Sequence, residues 1–240
     1  MIRHFIFNFC FHILLLNVAM SLNCDSLPNS YGLLVLNQNA ELAKEVKSSE
    51  TNAMVDIRKT IPGIFIDIKY ATTDNFTHVK LYPPITTTFM RAPAVNALKK
   101  IQEELGKQGL CLKIWDAYRP YSITEKMWDL IKDDRYVADP KKGSGHNRGI
   151  AVDLTIIRIK DQSELDMGTG YDNFTDSAHQ DYKNLSETAL KNRELLRSTM
   201  LANGFKIFET EWWHYFWGEG NFSALDFSFD ELNKMAKKNH

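Results

Sequence analysis

At 240 residues the chain is long enough for one domain with a proper core, or at most two small ones. Its 44% hydrophobic and 25% charged residues are ordinary for a globular protein. A net charge of −1 removes the bulk electrostatic case for binding nucleic acid or an anionic membrane.

Arg3 and His4 precede an apolar run over residues 5–19, and Ala19-Met20-Ser21 puts small residues where a signal peptidase reads. Residues 1–21 are therefore expected to be a secretory signal, and the mature chain to be exported, periplasmic and without stable membrane insertion. The competing reading is a membrane anchor, but the run falls short of the roughly 20 apolar residues a span needs. Cys24 raises lipid anchoring, against which Asn23 counts, because a small residue is expected before a lipidated Cys. Beyond the signal only Cys24 and Cys111 remain, too few for a disulfide framework. Pairing of the two and a buried, free Cys111 both stand as readings.

Residues 22–54 are polar and mixed and read as a loose arm or linker, with a helical turn or two over 40–46; the domain is expected to fill 55–240. Residues 64–70 are rich in β-formers and predict a strand. Asp74-Asn75-Phe76-Thr77 reads as a loop. From Pro93, which suits a first helical turn, Val95, Leu98, Ile101 and Leu105 recur at helical spacing and Gly109 follows the end. Residues 110–115 predict a second strand, running into Asp116-Ala117-Tyr118-Arg119-Pro120. Ser122 and Glu125 have capping-box spacing, and the helix they start carries Ile123, Met127, Leu130 and Ile131 on one side. A polar loop over 133–145 delivers His146.

In residues 150–157 the set Ile150, Val152, Leu154 and Ile156 alternates with Ala151, Asp153 and Thr155. The first set wants a core; the second leaves a carboxylate among small residues on the open side of a sheet. The loop over 160–184 has the length of one that binds something or moves. Residues 186–203 predict a helix ended by Gly204, and 205–208 with 213–217 the arms of a hairpin. The tail from Asp230 is at best a short polar helix. No repeat and no second domain is evident.

Two stretches carry chemistry: Ser144-Gly145-His146-Asn147-Arg148-Gly149-Ile150-Ala151-Val152-Asp153 and Glu211-Trp212-Trp213-His214. Catalytic zinc sites hold the metal with three protein ligands and leave one position to water. His146, Asp153 and His214 are such a set, and Glu211 is left over to serve as a general base. His78 and His179 are the credible substitutes. A buried, unpaired Asp in an apolar strand is costly, which favours a partner for Asp153. Arg119 has a plain alternative as an ion pair with Asp116, and the aromatic cluster over 212–217 an alternative as core. Residues i and i+3 of a regular strand face opposite ways, so Glu211 must lie on a turn or bulge to reach the metal of His214.

These stretches, with Asp116-Ala117-Tyr118-Arg119-Pro120, Asp67-Ile68-Lys69-Tyr70-Ala71-Thr72-Thr73-Asp74-Asn75-Phe76, Met167-Gly168-Thr169-Gly170-Tyr171-Asp172 and Asn192-Arg193-Glu194-Leu195-Leu196, resemble the D-alanyl-D-alanine dipeptidases, zinc peptidases of the vancomycin-resistance type, in unbroken order from about residue 55 to 218. The resemblance implies an α+β domain: a central antiparallel sheet, helices on one face and one zinc per chain on the other. It implies His146, Asp153 and His214 as zinc ligands, Glu211 as general base and Arg119 beside the oxyanion. It further implies Asp172 and the backbone near Tyr70 for the ammonium of a small dipeptide, and Ser144 and Tyr82 for its carboxylate. The family's familiar members are cytoplasmic, so the expected export is a departure. Two rivals remain at this point. One is a D,D- or L,D-carboxypeptidase with a more open mouth. The other is a non-catalytic zinc-containing wall-binding module, which would have no use for Glu211. Sequons stand at Asn75, Asn173, Asn184 and Asn221, and the first two are expected to be unmodified because they flank the site. Oligomeric state is not legible.

Overall fold

The computed structural model describes residues 27–238. The expected signal, and Cys24 with its lipid and disulfide readings, lie outside the described residues. In chain order the elements are β1 (Val35–Leu36), α1 (Asn39–Ser48), β2 (Met54–Asp56), α2 (Ile57–Thr60), β3 (Phe65–Ile66), β4 (Phe89–Arg91), α3 (Ala92–Gly106) and β5 (Leu110–Asp116). There follow α4 (Tyr121–Leu130), β6 (Ala151–Arg158), α5 (Glu187–Ala202), β7 (Phe205–Phe208), β8 (Glu211–Trp217), β9 (Ala224–Leu225) and α6 (Phe229–Lys238). Among the described residues no helix is long and apolar enough to cross a membrane.

The apolar spacing of α3 buries Val95, Leu98, Ile101 and Leu105, with Pro93 in the first turn and Gly109 past the end at φ +72°. Each such aliphatic side chain taken wholly from water stabilises the fold by about 1.5–3 kcal/mol. In α5 the Ser186 hydroxyl caps the helix by accepting the Ala189 N–H at 3.1 Å, and Ala189, Leu196 and Met200 face inward. These two helices pack against the sheet, α3 on β5 and α5 on β7 and β8.

The sheet has five strands in the order β3-β5-β6-β8-β7. All its pairings are antiparallel except that of the short edge strand β3, which runs parallel to β5. Two irregularities flank the central strand β6. Opposite β6 the register steps from Ile114↔Leu154 to Asp116↔Asp153, so Trp115 is an extra residue and Asp116 turns onto the face of Asp153. On the other side the register of β7 and β8 steps from Ile207↔Tyr215 to Phe208↔Glu211. Trp212, Trp213 and His214 thus have no partner on β7, and His214 pairs instead with Asp153 of β6.

Several expectations are corrected. The strand expected over 64–70 shortens to β3, and a 3-10 turn over Lys69–Ala71 follows, which turns Tyr70 inward. The capping box does not form: Pro120 is the cap residue of α4, Ser122 lies within the helix, and its N–H donates to Asp226 Oδ1 at 3.0 Å. Leu130 is 58% exposed rather than part of the apolar side of α4. The second face of β6 is not open, because Asp153 and Thr155 are buried as well. The loop after β6 covers them, held by a bridge from Glu164 back to Ile157.

The segment expected to be a loose arm is built into the domain from Val35 onward. There β1 pairs in parallel with β9, α1 buries Leu42, and β2 pairs with β4. Arg91 explains the attachment. Its wholly buried guanidinium donates to the carbonyls of Asn52, Arg148 and Ser223, joining the arm to the loop before β6 and to the C-terminal segment.

Candidate active site

Three side chains converge on one face of the sheet. Asp153 lies in β6, and His214 is its cross-strand partner in β8. His146 comes from the loop before β6. That loop is shaped by Gly149, whose φ of +69° and close approach to the Met54 side chain exclude a larger residue. It is fixed from inside by buried Asn147, whose amide donates to the Arg119 carbonyl at 3.0 Å and to Thr124 Oγ1 at 2.9 Å.

The donor atoms are closely spaced. His146 Nε2 is 3.3 Å from His214 Nδ1 and 3.5 Å from Asp153 Oδ1, and His214 Nδ1 is 2.9 Å from Asp153 Oδ1. A tetrahedral metal with bonds of about 2.0–2.1 Å holds its ligands roughly 3.3 Å apart. Two imidazoles and a carboxylate at these spacings fit zinc. Among the described residues no other group of three His, Cys, Asp or Glu side chains converges in this way. His78 and His179 stand outside it.

The neighbours hold each donor for that task. His146 Nδ1–H donates to the Ala117 carbonyl at 2.7 Å, which leaves the Nε2 lone pair facing the cluster. Tyr171 donates its hydroxyl to Asp153 Oδ2 at 2.9 Å and so leaves Oδ1 for the cluster. Burial opposes the charge of Asp153, but His146 and His214 outweigh it and hold the carboxyl well below the usual range.

Glu211 reaches the same place through the irregular register of β8, with Oε2 3.8 Å from His214 Nδ1. This resolves the three-residue spacing that a regular strand forbids. Burial pushes its carboxyl up to about 7; Asp153 and Asp172 add to the shift, and His214 and Arg119 oppose it. Arg119 is buried and is gripped by Asp116, with Nε at 3.1 Å and Nη2 at 2.8 Å from Oδ2. Its guanidinium also lies over the Tyr70 ring at 5.1 Å. The ion pair with Asp116 is thus present, and Arg119 also lines the cavity.

That cavity has a volume of about 450 Å³ and is bounded by the cluster, Glu211, Arg119, Ser144, Tyr70 and Asp172, among others. Asp172 sits at φ +54°, a conformation Asp tolerates better than most residues. Its Oδ1 accepts from Tyr70 Oη at 3.1 Å and its Oδ2 from the Phe76 N–H at 3.0 Å. Burial pushes this carboxyl up to about 7. Ser144 is in place at the cavity, with its hydroxyl accepting the Asn147 N–H at 3.2 Å.

Tyr82 is not in place. Its phenol is buried and donates to Asp116 Oδ1 at 2.9 Å, so it steadies the carboxylate that holds Arg119 and does not face a substrate. Asp116 and Tyr171 are the members that reading by motif passed over. Asp116 was weighed only as a partner of Arg119, and Tyr171 lay inside a matched block without a role. The Asn75 side chain is also spoken for: its amide donates to the carbonyls of Thr72 and Val79 at 2.8 and 3.0 Å, which closes off that sequon.

The chain was compared with known proteins. The family model described as D-ala-D-ala dipeptidase matches residues 50–232. The D-alanyl-D-alanine dipeptidase of Escherichia coli (strain K12) is 36% identical over 167 residues, covering 70% of this chain and 86% of that protein. The enzyme of the same name from Streptomyces coelicolor is 32% identical over 185 residues, covering 68% and 89%. That from Enterococcus faecalis is 28% identical over 183 residues, covering 68% and 91%. The match spans the whole sheet and every donor of the cluster, and the chain belongs to the D-alanyl-D-alanine dipeptidase family, a family of zinc peptidases.

Proposed function

We propose that the protein hydrolyses the dipeptide D-alanyl-D-alanine to two D-alanine, using one zinc held by His146, Asp153 and His214. The observation that carries this reading is a single cavity joining the three-donor cluster to a second, half-buried carboxylate, Asp172. The first serves bond cleavage and the second a cationic substrate end. Zinc, when bound, polarises the scissile carbonyl and lowers the pKa of a bound water towards about 7.

Glu211 takes a proton from the attacking water and delivers it to the leaving amine, a double task for which a carboxyl raised to about 7 is suited at neutral pH. Arg119, held rigid by Asp116, presents its remaining guanidinium nitrogen to the developing oxyanion. Asp172 receives the substrate ammonium, and Ser144 is left to meet the carboxylate. A longer peptide would bring a neutral amide to Asp172 and leave that half-buried carboxylate without a countercharge, a discrimination of about 10²-fold or more. A carboxypeptidase acting on longer chains has no use for Asp172 in that position.

The direct test is release of free D-alanine from D-Ala-D-Ala by the full protein, with and without a chelator. Turnover that stops on chelation and returns with added zinc is the expected result. Zinc-loaded protein that binds the dipeptide without cleaving it would make the chain a non-catalytic wall-binding module instead.

The pH profile tests the ammonium site separately. The productive pair is Asp172 carboxylate with substrate ammonium. As pH falls through about 7 this carboxylate and that of Glu211 each take up a proton, so kcat/KM drops steeply on the acid side. As pH rises past about 8 the dipeptide loses its own ammonium proton, and kcat/KM drops again. In Asp172→Asn the limb that remains should be that of Glu211 alone and fall with one proton rather than two; an unchanged steepness would remove Asp172 from the acid limb.

A further inference from the structure

Phe76 and Asp172 line the catalytic cavity, and the same two residues line a second depression of about 530 Å³ on the outer side of that wall. Lys69, Asp74, His78 and Glu164 form part of the outer depression, so it is polar and carries both signs of charge. Phe76 and Asp172 are thus the two residues shared between the linings of the two spaces.

Phe76 is held in place from several directions. Its ring meets Tyr70 edge-on at a centroid distance of 6.1 Å and Phe174 at 5.4 Å, and Phe174 stacks in turn on Tyr136 at 4.5 Å. Its backbone N–H donates to Asp172 Oδ2. That last contact is main-chain, so it survives loss of the ring.

We propose that the Phe76 ring is a length stop: it limits the substrate to two residues by closing the catalytic cavity from the outer groove, where the preceding residue of a longer peptide would otherwise lie. The inference rests on the dipeptidase reading and adds a steric determinant to the electrostatic one at Asp172. Both act on a tripeptide, but only Asp172 acts on a dipeptide that carries a small blocking group. Asp172 penalises any peptide whose terminal ammonium is removed, however small the blocking group. The ring penalises length.

The experiment compares kcat/KM for D-Ala-D-Ala, N-formyl-D-Ala-D-Ala and Gly-D-Ala-D-Ala in the parent protein, Phe76→Ala and Phe76→Leu. The parent should disfavour the tripeptide by about 10²-fold or more. Phe76→Ala should narrow the tripeptide-to-dipeptide gap by about tenfold, on the scale a hydrophobic pocket change produces, and change the formyl-dipeptide ratio far less. Phe76→Leu keeps apolar packing against Phe174 and should show a smaller change in the same direction, which covers the case in which the alanine variant does not fold. An unchanged tripeptide ratio in whichever variant retains zinc and a cooperative unfolding curve overturns the proposal. So does an Asp172→Asn protein that accepts the tripeptide as well as the dipeptide, since the ring would then exclude nothing. A parent protein that cleaves none of the three peptides overturns the dipeptidase reading itself, a result separable from either of these.

Discussion

Glu211→Gln lowers turnover of D-Ala-D-Ala by about 10²–10⁴-fold, the usual weight of a positioned acid–base group, and leaves zinc bound. The amide keeps the shape of the carboxylate and its hydrogen-bonding reach, but it cannot accept the proton of the attacking water. Zinc retention follows from the donor geometry: the three cluster atoms lie within 4.8 Å of one another without Glu211. The loss should fall on kcat and on kcat/KM together, because the proton moves in the transition state rather than on binding. Metal content measured beside steady-state rates separates this outcome from its rival. If the variant loses zinc, Glu211 is a ligand and not the base; if it keeps both zinc and rate, the base lies elsewhere.

Arg119→Met carries two penalties at once. Removing a preorganised cation beside a developing oxyanion costs about 10²–10³ in kcat. It also strands Asp116, which is wholly buried and takes two of its hydrogen bonds from the guanidinium. Removing one partner of a buried ion pair costs about 3–5 kcal/mol of stability, because the other charge is left uncompensated. The two penalties can be parted. In the double variant Arg119→Met with Asp116→Asn the stranded charge is gone and Tyr82 can still donate to the amide oxygen, so most of the stability should return while kcat does not. Thermal unfolding and steady-state rates on the three proteins check this. Recovery of both quantities would make Arg119 a purely structural partner of Asp116.

The parts of the fold legible in the sequence are those whose cause is local. In α3 and α5 the apolar residues repeat with the helix and the caps stand beside them, so spacing alone places the inward faces. Asp153 was legible because it interrupts an apolar alternation. What escaped depends on two chains meeting. The irregularity between β5 and β6 has no signature in its own strand, since an extra residue exists only relative to a partner's register, and the one between β7 and β8 showed only as the need for a turn or bulge at Glu211. Without them Asp116 and Glu211 cannot be aimed, which is why the spacing of Glu211 and His214 looked inconsistent with a strand. Tyr82 was placed by its order along the chain, but a buried phenol goes where an acceptor lies, and that acceptor was Asp116. The arm failed for the same reason. Its residues are polar and carry little pattern, and β4, β9 and Arg91, further along the chain, give them something to pack against.

The pairing of β1 with β9 also bears on when the protein can finish folding. Val35 meets Ala224 and Leu36 meets Leu225, so β1 waits for a segment made 189 residues later. At ordinary rates of synthesis that wait is on the order of ten to forty seconds. Throughout it, Leu36 lacks its partner strand and Arg91 lacks the Ser223 carbonyl. The nascent chain can assemble its five-stranded sheet before this seam, which closes only after Ala224 and Leu225 have been made.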